Sequence, residues 1–219
     1  MIRLSVDDGK LDLESYSQDA TLEDLRREVE SRRVDRRLVT AFCAGCGRCC
    51  HFEHLPLFGY DLIRMRAERR TADLSPWLSY PERPAAEERS EAIADMMRQH
   101  GFDQHTATLL YEYNAAEPIT YRHADDGGCV FLGNGFCTNY PGRAYTCSLY
   151  VCTMGERLSN LQERIVRQGV WHSYFVEGWI AEEAISHNPF LSGCGYGDVH
   201  ISDFEYDLSD ALEKLFFYF

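Results

Sequence analysis

The sequence predicts an α+β chain, mainly helical, with short strands, loops and an N-terminal hairpin. Three patterns carry that expectation. Residues 2–16 alternate apolar and polar side chains about an Asp-Gly pair. Several later stretches repeat apolar residues every three or four positions, the period of a helix with one buried stripe. Residues 118–152 carry proline, glycine and aromatic residues at short intervals, which suits brief strands and turns.

Taken in order, Ile2, Leu4 and Val6 alternate, Asp8-Gly9 supplies a turn, and Leu11 and Leu13 resume the alternation. Thr21 stands where an N-cap belongs, with Asp24 three residues on as its capping-box partner. Leu22, Leu25, Val29 and Leu38 form a stripe that runs toward the first cysteine. Arg26, Arg27, Arg32, Arg33, Arg36 and Arg37 are interleaved there with Glu23, Asp24, Glu28, Glu30 and Asp35. That mixture predicts a solvated helix laced with ion pairs. A helix is expected near residues 60–70, and Pro76, Pro81 and Pro84 break up the next segment. Another over 86–100 places Ala92, Ile93, Met96 and Met97 on one side and stops at Gly101. Two more lie beyond residue 152: one with Leu158, Leu161 and Ile165 ending near Gly169, the next with Trp171, Phe175 and Trp179. A last amphipathic helix uses Leu208, Leu212, Leu215 and Phe219, its aromatic end docking on the core, with a partner or dimer surface as the alternative.

Composition narrows the function. The chain has 219 residues, 45% of them hydrophobic and 26% charged, enough for one generous core. Acidic residues outnumber basic ones 35 to 22, a formal charge of −13 that opposes attraction to nucleic acid and to anionic lipid. No apolar leader and no stretch of about 18 apolar residues is present, so the expected location is cytoplasmic, without a membrane partner. In that compartment thiols stay reduced, and cysteine clusters hold metals more often than they form disulfides.

Nine cysteines carry the chemistry, and eight fall into two groups. The first reads Cys43-x-x-Cys46-x-x-Cys49-Cys50; the second is Cys129, Cys137, Cys147 and Cys152. Sets of four thiols match the ligand number of tetrahedral zinc and of a cubane iron–sulfur cluster. Cysteines at i, i+3 and i+6 can turn three sulfurs toward one centre, as in ferredoxin-type runs, with Gly45 and Gly47 easing the loop. Cys49 and Cys50 are adjacent, and in extended chain neighbours point to opposite faces, so equivalent service to one ion is not expected of them. The second group lacks a C-x-x-C knuckle, which favours sites drawing on both groups over two separate zinc ribbons. Closing the loop of roughly 80 residues between the groups costs on the order of 4 kcal/mol. A structural zinc contributes roughly 10–16 kcal/mol in small peptides, more than enough to offset it. All eight are therefore candidate ligands of a Cys-bound metal core, with residues 1–40 an N-terminal arm, 41–153 the metal-binding domain and 154–219 a helical part packed on the same core.

The motif Cys43-Ala-Gly-Cys46-Gly-Arg-Cys49-Cys50, with Leu55-Pro56-Leu57 and Asp61-Leu62-Ile63, resembles the start of the YkgJ-type cysteine-cluster family. Cys129-Val-Phe-Leu, Cys137 with Tyr140 and Arg143, and Cys147-Ser-Leu-Tyr-Val-Cys152 resemble its second half, so the likeness spans roughly residues 41–153. Ala144 and Ser148 stand where the family usually has proline and arginine, and the Cys137–Cys147 interval is one residue longer; all eight sulfurs remain in place. The resemblance implies chelation of zinc or iron. A related cluster in flagellin lysine N-methylases extends it to an iron–sulfur centre and modification of a protein or peptide partner, although no methyl-donor motif is visible here.

The leading expectation is thus one or two iron–sulfur clusters, of the 4Fe-4S kind, held by the eight cysteines. The alternative is a zinc-stabilised binding module without catalysis, pinned by two zinc ions, each in four thiolates. A metal carrier or redox sensor with reactive Cys50 or Cys194 is a third reading. His51 and His54 lie beside the first cysteine group as further candidates and His123 is a lesser one, while Asp125-Asp126-Gly127-Gly128 reads as a solvated turn.

Overall fold

The computed structural model describes residues 1–33, 48–51, 55–115 and 117–205. It is an α+β fold. β1 (Ile2–Asp7) and β2 (Lys10–Tyr16) form an antiparallel hairpin, with Asp7 opposite Lys10. Asp8 and Gly9 both take positive φ, at 45° and 72°, the backbone that a tight two-residue hairpin turn requires. Leu4, Leu11 and Leu13 are buried by this alternation. α1 (Leu22–Arg32) starts at Thr21, whose hydroxyl accepts from Asp24 N while Asp24 accepts from Thr21 N. The capping box stands as the sequence indicated.

α2 (Gly59–Arg69) is the hinge between two cores. Phe58 and Tyr60 enter the first, with the hairpin, α1, Tyr145, Leu149 and the start of α6 (Glu156–Val176). Leu62 and Met65 enter the second, with Leu57, Leu74, Leu78, Ile119, Tyr121, Phe131 and Ala144. The N-terminal hairpin and α1 are therefore built into a main core. α3 (Ala86–His100) ends at Gly101, whose φ of +69° and bond to Met97 O make it a left-handed cap.

Two features depart from expectation. α4 (Gln104–Ala115) lies where no element was anticipated, and packs on α3. The two helices expected on either side of Gly169 are one, α6. Gly169 does not stop that helix; a Cβ there would fall inside contact distance of the buried Phe58 ring. The glycine serves close approach of α6 to α2. The expected C-terminal helix with Leu208, Leu212, Leu215 and Phe219, and the stripe residue Leu38, lie outside the described residues.

The strands beyond α2 are brief: β3 (Leu78–Ser79), ahead of α3, pairs with β4 (Thr120–Tyr121) after α4, and β5 (Leu132–Gly133) pairs with β6 (Phe136–Cys137). A short helix, α5 (Tyr145–Leu149), comes next. These strands and turns carry the second cysteine group.

Candidate metal centre

Cys49 and Cys50 sit on a 3-10 turn, Arg48–His51. The chain then runs through α2, α3 and α4 and returns, and Cys129 N donates to Cys50 O at 2.7 Å. That main-chain bond joins the two cysteine groups. Beyond it, Cys129 pairs across an isolated bridge with His123, Cys137 ends β6, and Cys147 lies within α5. Cys49, Cys50, Cys129, Cys137 and Cys147 line one cavity of about 260 Å³, with Arg33, Tyr121, His123, Phe131, Phe136, Tyr140 and Arg143 among its other walls. All five thiols are half-buried and outside any disulfide, and Cys129, Cys137 and Cys147 pack against the second core.

Cys49 and Cys50 do not point to opposite faces of extended chain: a 3-10 turn carries both to the same cavity. They differ electrostatically instead. The hydrogen bond from Cys50, helped by the Arg33 and Arg143 charges, holds the Cys49 thiol below the usual thiol range. The same bond and burial push Cys50 far up. Burial raises Cys129 as well and pushes Cys147 up to about 12.

The segment bearing Cys147 is gripped by buried charge. One nitrogen of Arg33, Nη2, donates to Cys147 O, Ser148 O and Tyr150 O, each at 2.7 Å. Arg64 Nη2 donates to Gly142 O at 2.9 Å and Arg143 O at 2.8 Å. Asp61, fully buried, accepts from Tyr145 N at 3.2 Å, from Phe58 N, and from Arg64. Arg143 in turn lies over the Tyr140 ring and pairs with Glu30 at 2.7 Å. The end of α1 thus differs from the solvated helix expected. Arg26 does pair with Glu23 and Glu30, Arg27 with Glu23 and Arg32 with Glu28 along the surface, but Arg33 is 8% exposed and turned onto carbonyls more than a hundred residues away.

Other anticipated residues fall elsewhere. Cys152 is half-buried and outside the cavity wall, and Cys194 is exposed on a loop where its N–H bonds Asp198. His51 is exposed beside Gly128. Asp126 accepts from Gly128 N in an exposed turn, as expected of that run. Cys43, Cys46 and His54 lie outside the described residues. Among the described residues, no three His, Cys, Asp or Glu side chains converge on a single ion-sized point. Sequence reasoning does not reach Arg33, Arg64, Asp61 and Tyr121 as parts of this site, and gives His123 little weight.

A family model with the CxxCxxCC signature, described as a "Putative zinc- or iron-chelating domain", matches residues 42–167. This chain belongs to that family. The match runs from the first cysteine group into α6, so it includes α2 and α5 and the clamps between them. Comparison with curated proteins and with solved structures gave no match. No described helix is long and apolar enough to cross a membrane.

The donor set suits the metals named by the CxxCxxCC family. Thiols are soft ligands, selected by zinc and iron–sulfur centres. Burying several thiolates together is costly without a cation, and Arg33 and Arg143 at the wall compensate only part of that charge.

Proposed function

We propose that this protein holds one or two iron–sulfur clusters of the 4Fe-4S kind through Cys43, Cys46, Cys49, Cys50, Cys129, Cys137, Cys147 and Cys152. The observation that carries the reading is the gathering of five thiols, from segments 79 positions apart at Cys50 and Cys129, around one cavity. Its 260 Å³ is many times the ~30 Å³ share of a water molecule, a volume that favours a body larger than a bare ion. Cys46 and Cys43 are three and six residues from Cys49, within roughly 11 and 22 Å of extended chain.

Bound in this cavity, an iron–sulfur centre supplies electron transfer or radical initiation. The protein's part is to hold the sulfurs, exclude water with Phe131 and Tyr121, and present a partner surface. Phe136 and Tyr140 line the cavity while remaining 62% and 50% exposed. Such a rim suits a protein or peptide substrate, and the function proposed is its redox or radical-type modification.

Zinc is the second reading, favoured by the scarcity of regular structure around the thiols. β3 to β6 are two-residue strands, so a cross-link between the cysteine groups would pin this region without any catalysis. Elemental analysis of protein purified without oxygen separates the two. Iron with acid-labile sulfide and a brown colour supports the first reading; colourless protein with stoichiometric zinc replaces it with the second. A Cys49→Ser, Cys147→Ser double variant should lose metal and melt at lower temperature than the loaded wild type. Full metal content in that variant would overturn both.

A further inference from the structure

Tyr121 Oη and His123 Nδ1, both in the cavity region, have no partner among the described residues. Both are buried atoms, and Tyr121 as a whole is 6% exposed. A buried hydroxyl without a hydrogen bond is costly, so its position calls for an acceptor. Residues 121 and 123 are two apart on one extended run, which puts them on the same face, while Arg122 between them is exposed. Both line the cysteine cavity. The Tyr121 ring is fixed edge-on against Phe131, centroids 5.0 Å apart, so the hydroxyl cannot swing away freely. His123 lies directly across the bridge from Cys129, the arrangement that brings two side chains to one face. Asp61, a conceivable acceptor for Tyr121, is already engaged by Phe58 N, Tyr145 N and Arg64.

We propose that Tyr121 and His123 form a hydrogen-bonding wall to the sulfur atoms of the metal centre. Tyr121 O–H donates to sulfur on the Cys129 and Cys147 side of the cavity, and His123 Nδ1–H donates to the Cys129 sulfur. These are positioning and tuning residues, not ligands. A donor aimed at metal-bound sulfur spreads its negative charge, which strengthens retention of the metal and raises the reduction potential of an iron–sulfur centre. The inference rests on the metal-binding reading above.

The test compares wild type, Tyr121→Phe, His123→Leu and His123→Asn, each prepared without oxygen. Metal retention is measured by chelator competition, and thermal unfolding is measured on the metal-free forms. Loss of either donor should weaken retention about 10–100-fold, the usual effect of removing an outer partner of a metal ligand. His123→Asn should keep most of it, because the asparagine amide can place an N–H near the Nδ1 position. Metal-free Tyr121→Phe should melt at or slightly above wild type, since it removes a buried hydroxyl that has no partner in that state. Unchanged retention in Tyr121→Phe and His123→Leu, with normally loaded wild type, overturns the inference alone. A metal-free Tyr121→Phe that melts well below wild type also overturns it, by showing that the hydroxyl is bonded within the protein. Wild type that takes up neither iron nor zinc overturns the metal reading and this inference together.

Discussion

Arg33→Met tests whether charge at the end of α1 holds the Cys147 segment in place. The substitution removes three hydrogen bonds of 2.7 Å to Cys147 O, Ser148 O and Tyr150 O, while the methionine stem retains apolar contact. Hydrogen bonds to a charged group contribute about 1.5–3 kcal/mol each. Because one nitrogen with two hydrogens serves all three carbonyls, they amount to fewer than three independent bonds. The arginine also loses hydration on burial, at 8% exposure, which offsets part of the gain. The net loss expected is about 3 kcal/mol, or roughly 6–12 °C in Tm for a chain of this size. Urea unfolding of metal-free protein reads it most directly, with an unchanged slope and a lower midpoint. Metal retention should fall too, since the Cys147 backbone is no longer fixed. A midpoint equal to wild type would refute the clamp, and an equal midpoint with weakened retention would reduce it to an electrostatic effect on Cys49.

Two further outcomes come from packing and burial. Gly169→Ala should destabilise by about 1–2 kcal/mol in urea unfolding. Overpacking against Phe58 outweighs the roughly 1 kcal/mol of helix propensity that alanine gains. His172, 3% exposed and stacked on Phe190, has its pKa lowered by burial to about 4, so the fold holds the neutral ring. Between pH 6.5 and 4 the unfolded chain binds the extra proton. The stability contributed is therefore present above 6.5 and is lost as pH falls toward 4, by on the order of 3 kcal/mol. A His172→Asn variant should show a shallower fall over that window in urea midpoints measured at successive pH values; parallel curves would contradict the assignment.

What the sequence made legible was local. The hairpin announced itself because Asp8-Gly9 and the leucine alternation are decided within a few residues, and so were the Thr21–Asp24 cap and the Gly101 stop. α4 went unseen because its apolar residues make no clear stripe, and it is held largely by α3. Gly169 misled because composition cannot distinguish a helix stop from close approach to a distant ring. The cysteine spacing pointed to a metal centre, and five thiols do share a cavity. The surroundings of that cavity were not readable. Arg33, Arg64 and Asp61 work through backbone groups 78 to 117 positions away, and nothing near them in sequence records those partners.

The bond from Cys129 N to Cys50 O has a temporal consequence. During synthesis the leading thiols emerge 79 residues before the position that receives them. At roughly 5–20 residues per second, that leaves an interval of about 4–16 s in which they are exposed without their counterparts. On the proposed function, insertion of a centre shared by both sets waits until the returning strand has been made. A delivery system serving this protein would meet a chain already made past Cys129, and an oxidant would have a brief opening before it.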